Sequence, residues 1–342
     1  MTLRQNVIDA LNHRRVFPIP YCVNYTEQAY ERVAEYTHNP HFMDAYQNCI
    51  HSFSYSGRTK ELPERPGFFI DDFGVVWNRT GADRDIGVID HPVIEDIEDN
   101  DYRFPELDEA WLRREMERLV AEKGDRFAMA GIGFTMFERA WTLCSMEDTL
   151  VAMLAAPEAL DKLLDDICEY DLRIVRIMLE YDIDGVYFGD DWGQQRGLIM
   201  GKPCWLRFIR PRMERLYAEV KAKGKYVFQH SCGDIHEILP ELVEMGLDCY
   251  QTFQPEIYDI QQVKDTIGDR LSFWGAISTQ QLLPFADPET VRSETVRIMN
   301  ILGKNGGYIA SPTHGVPGDV PPENILAMLD VFANQEKSGV CI

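Results

Sequence analysis

Short β-rich runs alternate with longer amphipathic segments along most of the chain. In Glu158–Tyr181, between the third and fourth of these runs, Leu160, Leu164 and Ile167 recur at helical spacing. Parallel strands joined by crossover helices produce this rhythm. The candidate strands are Phe17–Val23, Gly67–Phe73, Phe127–Ile132, Gly185–Gly189, Tyr226–His230, Asp248–Thr252, Leu271–Gly275 and Tyr308–Ser311. Eight parallel strands predict an α/β protein that closes into a (β/α)8 TIM barrel.

Two further segments are predicted to lie outside the regular barrel. The first residues, before Phe17, form an N-terminal helical extension. After the second predicted strand, Val75–Arg79 and Ile86–Ile89 form a β-hairpin excursion around a turn at 80–83, placed over the barrel mouth. A length of 342 residues suits one such barrel, so we expect residues 1–342 to form a single domain.

Composition and charge narrow the class of protein. The chain is 45% hydrophobic and 26% charged, without an apolar run near the roughly 18 residues of a membrane span. The first residues lack the apolar core of a signal peptide, so we expect a cytoplasmic protein that does not bind membranes. A net charge of −22, from 34 basic and 56 acidic residues, argues against nucleic acid as a partner. Eight scattered cysteines indicate free thiols rather than a disulfide framework.

A histidine and a cysteine stand two residues apart at the end of the fifth predicted strand. His230 and Cys232 would lie on one side of an extended backbone, where an imidazole and a thiolate can bind one cation, most plausibly Zn²⁺. A packed histidine beside a small buried cysteine is equally typical of this pattern. Spacing alone does not decide between the two interpretations.

A third ligand for such a site has to come from another loop of the barrel mouth. His314 follows the eighth predicted strand, and strands five and eight of a closed barrel open onto the same mouth. His230, Cys232 and His314 would then bind zinc and leave one coordination position open. The alternative for His314 is a solvent-exposed loop histidine.

Acidic residues follow the third and fourth predicted strands. Asp190 and Asp191 come directly after Gly189, and either carboxylate is a candidate for orienting substrate or moving a proton. The alternative is that one aspartate caps the following helix and the other is solvated. Glu138 is a candidate fourth ligand or proton-handling group, unless it pairs with Arg139.

Aromatic residues near the predicted strand ends suggest an apolar lining for the mouth. Trp192, Phe253 and Trp274 are the candidates for contact with a flat or hydrophobic cofactor, although aromatics at such positions are also common in cores. No glycine-rich phosphate loop or dinucleotide fingerprint follows a predicted strand, so no nucleotide cofactor is expected.

These motifs resemble the uroporphyrinogen decarboxylase superfamily, which also contains zinc-dependent, corrinoid-linked methyltransferases. The resemblance covers nearly the whole chain. It rests on Phe73–Trp77, Phe137–Trp141, Gly189–Gly197, His230–Gly233 and Pro321–Met328. Authentic uroporphyrinogen decarboxylases share an N-terminal Arg-Gln-Ala-Gly-Arg element whose arginines bind the substrate carboxylates. The corresponding stretch here, Pro18–Tyr25, has no arginine, which argues against porphyrinogen decarboxylation.

The methyltransferase branch implies a zinc site and a corrinoid protein partner. Its His-x-Cys pair after the fifth strand matches His230 and Cys232, and His314 stands where that branch has a further cysteine. One thiolate with two imidazoles leaves the zinc a stronger Lewis acid, which favours activating a leaving oxygen over activating a thiol nucleophile.

The resemblance implies methyl transfer between a small O- or S-methyl substrate, or a thiol acceptor, and the cobalt of a corrinoid protein. Asp190, Asp191 and Glu138 would position the substrate or handle its proton. Two alternatives stay open: a metal-free decarboxylase of the same superfamily, and a non-catalytic module that binds a corrinoid or tetrapyrrole.

Overall fold

The computed structural model describes residues 1–81 and 87–342. Within these ranges the strands are β1 (Ile50–Tyr55), β2 (Thr59–Glu61), β3 (Phe68–Asp71), β4 (Val76–Asn78), β5 (Val88–Ile89), β6 (Phe127–Ile132), β7 (Gly185–Gly189), β8 (Gly193–Gln194), β9 (Gly197–Leu198), β10 (Tyr226–His230), β11 (Cys249–Phe253), β12 (Ser272–Ile277) and β13 (Tyr308–Pro312).

Helices connect and cover these strands. They are α1 (Leu3–Leu11), α2 (Glu27–Thr37), α3 (Glu109–Glu122), α4 (Met136–Cys144), α5 (Met146–Ala155), α6 (Pro157–Met178), α7 (Gly201–Cys204), α8 (Arg210–Ala222), α9 (Leu239–Glu244), α10 (Ile260–Ile267), α11 (Leu282–Phe285), α12 (Pro288–Leu302), α13 (Pro322–Ala333) and α14 (Gln335–Ser338). Two 3-10 turns, Phe42–Ala45 and His236–Ile238, and a π turn, Trp205–Ile209, complete the helical structure of the described residues. Of all these helices, none has the length and apolar character that a membrane span requires.

The central sheet consists of seven parallel strands in the order β1-β6-β7-β10-β11-β12-β13. The segment around Tyr21 lies between the two ends of this sheet. On one side, Tyr21 forms a parallel bridge with Ala310 of β13. On the other side, next to β1, the N–H of Cys49 donates to the carbonyl of Tyr21 at 2.9 Å. This segment acts as the first strand of the ring, so the curled sheet has the TIM-barrel topology expected from the sequence. On this count β10 is the fifth strand and β13 the eighth.

One predicted barrel strand was wrong. The second strand of the ring is β1, which pairs in parallel with β6, whereas Phe68–Asp71, within the predicted Gly67–Phe73, lies in an antiparallel sheet. The reason is the polarity of β1: Ser52 and Ser54 face the open interior of the barrel and are exposed. These two serines interrupt the apolar run that marks a buried parallel strand.

The excursion after the second strand is a four-stranded antiparallel sheet, β2-β3-β4-β5. It includes the predicted hairpin, because β4 pairs with β5; parts of the predicted turn and Ile86 lie outside the described residues. Asp71 joins this sheet to the barrel: it accepts the indole N–H of Trp77 at 3.0 Å, and its carboxylate lies 3.7 Å from the guanidinium of Arg139 on α4.

The N-terminal extension closes the amino-terminal end of the barrel. Helix α1 begins after Thr2, whose hydroxyl accepts the N–H of Gln5. Its buried residues Val7 and Leu11 pack in one apolar cluster with Phe228 and other inward side chains of the strands. With this end filled, open space inside the ring remains at the carboxyl ends of the strands, where barrel enzymes carry their active sites.

Candidate metal centre

The turn after β10 is fixed by its neighbours on both sides. The N–H of Ser231 donates to the carbonyl of Gln251 at 2.8 Å, and the N–H of Cys232 donates to the Asp191 carboxylate at 2.7 Å. Gly233 has φ +76°, and a Cβ there would lie 2.5 Å from the backbone nitrogen of Gln194. Only glycine fits this close approach, which holds the His-x-Cys turn against the loop after the fourth strand.

The structure brings the three predicted ligands together at the barrel mouth. One donor atom from each of His230, Cys232 and His314 lies within 4.8 Å of the others. The Nε2 of His230 is 3.6 Å from the Sγ of Cys232. Donors on a tetrahedral zinc ion are about 3.5 Å apart, given Zn–N and Zn–S distances of about 2.0 and 2.3 Å. The chemistry and spacing of these residues therefore fit Zn²⁺.

Gln251 on β11 orients the His230 ring. Its side-chain oxygen is hydrogen-bonded to the Nδ1 of His230, and its amide nitrogen donates to the carbonyl of Thr313 at 3.3 Å, next to His314. Because the amide oxygen only accepts, Nδ1 carries the proton and Nε2 points toward the other ligands. Sequence analysis missed Gln251; a polar residue in the middle of a buried strand is the signal that identifies it.

Acidic groups surround His230. Burial opposes charge on the imidazole, but Tyr187, Cys232 and Asp191 favour it more strongly, so the pKa of His230 is raised well above its usual value. The Asp191 carboxylate lies 3.2 Å from Nε2. A metal ion at this position would replace the Nε2 proton.

The two adjacent aspartates occupy different environments. Burial would raise the pKa of Asp191, but the hydrogen bonds with His230 and the N–H of Cys232 outweigh it and lower the pKa to about 2. Asp191 lines the cavity at the mouth. Asp190 is fully buried and does not line the cavity. Its carboxylate accepts hydrogen bonds from the N–H groups of Phe137 and Glu138 and from the indole N–H of Trp192, at 2.6–3.0 Å. Asp190 thus caps α4 from a neighbouring strand.

Glu138 lies in the first turn of α4 and lines the same cavity. Its side chain is buried, and burial together with the charges of Asp191 and Asp190 raises its pKa well above the usual value. The expected alternative, an ion pair with Arg139, is not observed, because the Arg139 guanidinium lies beside Asp71 and over the ring of Phe73. A buried carboxyl group whose pKa is raised, beside a candidate metal site, is suited to act as a general acid.

A cavity of about 390 Å³ is lined by two of the candidate ligands, His230 and His314, and Cys232 lies next to them. Besides the acidic groups, its wall includes Asn24, Ser52 and Ser54 from the first two strands. Sequence analysis did not identify these residues, although Ser52 and Ser54 alternate along β1 in the way that places both on one face. The volume is near the lower end of the roughly 300–1,000 Å³ range of small-molecule sites, so the cavity suits a small ligand.

The three aromatic candidates, Trp192, Phe253 and Trp274, lie in different surroundings. Trp274 lines the cavity, with Tyr187 packed edge-on against it at 6.3 Å. Trp192 is fully buried against Trp205, and Phe253 against Phe273, and neither lines the cavity. Among the three, only Trp274 is therefore placed to contact a ligand in this cavity.

Comparison with known proteins defines the family. The uroporphyrinogen decarboxylase (URO-D) family model matches residues 80–335. The chain is 28% identical over 180 residues to the uroporphyrinogen decarboxylase of Alkalilimnicola ehrlichii, covering 51% of this chain and 46% of that one. It is 22% identical over 240 residues to that of Methylococcus capsulatus, covering 66% and 65%. This chain therefore belongs to the uroporphyrinogen decarboxylase family.

Among solved structures, the chain resembles a methyltransferase from Methanosarcina mazei over nearly its entire length. The TM-score is 0.72 at 17% sequence identity, and the match covers 98% of this chain and 99% of the other. The two chains share their fold.

Proposed function

We propose that this protein is a zinc-dependent methyltransferase, which moves a methyl group between a small O- or S-methyl substrate, or a thiol acceptor, and the cobalt of a corrinoid protein. The observation that carries the proposal is the approach of donor atoms of His230, Cys232 and His314 within 4.8 Å of one another, where the two histidines line a cavity. The methyltransferase with the same fold supports the reaction type.

Three residues of this chain would hold the metal. His230 and His314 would supply imidazole nitrogens and Cys232 a thiolate, a donor set that zinc accepts readily. When bound, zinc supplies Lewis acidity toward the heteroatom that carries or accepts the methyl group. Gln251 holds the His230 ring in the orientation that this ligation needs.

Acidic groups of the cavity would handle the proton. In the demethylating direction the carbon–heteroatom bond would break with its electron pair left on the heteroatom, and a reduced corrinoid on the partner would supply the pair for the new bond to the methyl group. Glu138, a buried carboxyl group whose pKa is raised, would deliver a proton to the heteroatom, and the carboxylate left by that transfer would take a proton from a thiol acceptor in the reverse direction. Met129, Phe134 and Trp274 contribute apolar surface to the same cavity and limit access of water.

The charge of the cavity argues against the decarboxylase alternative. A porphyrinogen with many carboxylates needs basic side chains around it. Among the residues that the structure describes, neither arginine nor lysine lines this cavity, while Glu138 and Asp191 do. Methyl transfer with a small substrate suits this environment better than porphyrinogen decarboxylation.

The test uses methyl transfer from methylcobalamin to 2-mercaptoethanol, followed by the visible spectrum, on protein whose zinc content has been measured. We expect about one zinc per chain, and loss of both zinc and activity in His230→Ala and Cys232→Ala. The matched controls, His236→Ala and Cys204→Ala, alter a histidine and a cysteine outside the cluster of three candidate ligands and should keep both zinc and activity. Zinc-free active protein, or active His230→Ala, contradicts the proposal, and porphyrinogen turnover establishes the decarboxylase alternative.

A further inference from the structure

The charged groups around the candidate metal centre nearly cancel one another. A bound zinc ion carries two positive charges, the Cys232 thiolate contributes one negative charge, and the Asp191 carboxylate, 3.2 Å from the Nε2 of His230, contributes another. Glu138, whether protonated or not, adds no positive charge. A ligand in the cavity therefore meets a site without net positive charge to bind an anion.

The wall formed by the first two strands is polar but neutral. Ser52 and Ser54 of β1, with Ser56 just beyond it and Asn24 after the first strand, all line the cavity. Hydroxyl and amide groups both donate and accept hydrogen bonds. They can pair with hydroxyl, ether or carbonyl groups of a ligand, but they do not compensate for the desolvation of a carboxylate or sulfonate.

We propose that the substrate portion bound in this cavity is uncharged: a small neutral molecule with its methyl-bearing or methyl-accepting oxygen or sulfur toward the ligands, and hydroxyl or ether groups toward Ser52 and Ser54. This inference rests on the proposed function, because zinc enters the charge balance. An anionic substrate of the same size would lie near Asp191 and Glu138 without a basic partner on the described wall.

The test compares two thiols of the same chain length, neutral 2-mercaptoethanol and anionic mercaptoacetate, in calorimetric titrations of the zinc-loaded protein at pH 7. We expect the neutral thiol to bind at least about tenfold more tightly, since the carboxylate loses hydration and meets like charge. Equal binding, tighter binding of mercaptoacetate, or no binding of either thiol contradicts the inference.

A lysine substituted into the cavity wall provides a second test. Ser54→Lys places an ammonium group at the neutral wall and should shift the ratio of the two Kd values toward mercaptoacetate by about tenfold. Ser52→Lys tests the same wall if the first variant does not fold. Ser293→Lys adds the same charge on the exposed surface of α12 and should leave the ratio unchanged. An unchanged ratio in a folded cavity variant overturns the inference.

Zinc analysis of the titrated sample separates the two proposals. A protein that carries zinc but prefers the anionic thiol contradicts the neutral-substrate inference and leaves the metal centre intact. A protein without zinc contradicts the proposed function, and with it the charge balance.

Discussion

The two sides of the candidate metal centre differ in how firmly the fold holds them. On the fifth-strand side, His230 has a side-chain exposure of 12% and is hydrogen-bonded to Gln251, while the backbone of Cys232 is bound by Asp191. On the eighth-strand side, His314 is exposed in the loop after β13. The difference indicates that a partly buried pair, His230 and Cys232, provides a preformed half-site, which an exposed histidine completes.

The largest expected effect is on the partly buried half, His230 and Cys232. Cys232→Ala removes the thiolate, and we expect the affinity for zinc to fall by about a thousandfold, because each ligand accounts for several kcal/mol of structural zinc binding. A competition titration with a chelator measures the change, with Cys204→Ala as the control. If Cys232→Ala binds zinc as tightly as the wild type, the half-site interpretation is wrong.

His314→Ala should have a smaller effect. Water can take the position of an exposed ligand, so we expect the zinc affinity to fall by about a hundredfold while some zinc remains bound. The same chelator competition gives the value, and His236→Ala controls for loss of an exposed histidine. A loss as large as that of Cys232→Ala would remove the distinction between the two sides.

Asp190 tests the buried support of α4, the helix that carries Glu138. Burial outweighs its hydrogen bonds and raises its pKa to about 7, from 3.8 in the unfolded chain. Because the folded state holds this proton more tightly, the contribution to stability is fully present below about pH 4 and is lost as the pH rises through about 7. From pH 5 to pH 8 the wild type should lose about 2 kcal/mol of unfolding free energy relative to Asp190→Asn. Urea unfolding at both pH values measures this, and a constant difference contradicts it.

Gln251 links the two sides, and its replacement should have the smallest of these effects. Gln251→Leu removes the acceptor for the Nδ1 proton of His230, and we expect about tenfold weaker zinc binding, as for other residues that orient metal ligands. Gln251→Glu keeps an acceptor and should restore most of the affinity. The absorption spectrum of the cobalt-substituted protein should change in Gln251→Leu and return in Gln251→Glu; equal affinities in all three proteins would exclude this role.

The sequence predicted the framework of the barrel better than its interior. Tyr226–His230 and Gly185–Gly189 have the predicted bounds, because apolar runs bounded by glycine or polar residues mark buried strands. Ile50–Tyr55 was missed because its inward residues, Ser52 and Ser54, line a cavity instead of a core. A strand that builds a polar site loses the hydrophobic signal by which strands are recognised.

The sequence identified the three candidate metal ligands better than it identified the residues around them. Strand ends indicated that His230, Cys232 and His314 would meet, and the structure brings their donor atoms together. Which of two adjacent aspartates faces the cavity, and whether Trp192 lies in the mouth or between strand and helix, depends on side-chain direction at irregular strand ends. Residue type and spacing do not encode that direction.

The central claim, a metal centre with one sulfur and two histidine ligands, is tested most directly by X-ray absorption at the zinc edge of the purified protein. The account predicts one sulfur at about 2.3 Å and the remaining ligands as nitrogen or oxygen at about 2.0 Å, including two imidazole rings. Loss of the sulfur signal in Cys232→Ala would confirm its origin. Absence of zinc, or a zinc ion without sulfur, would contradict the account.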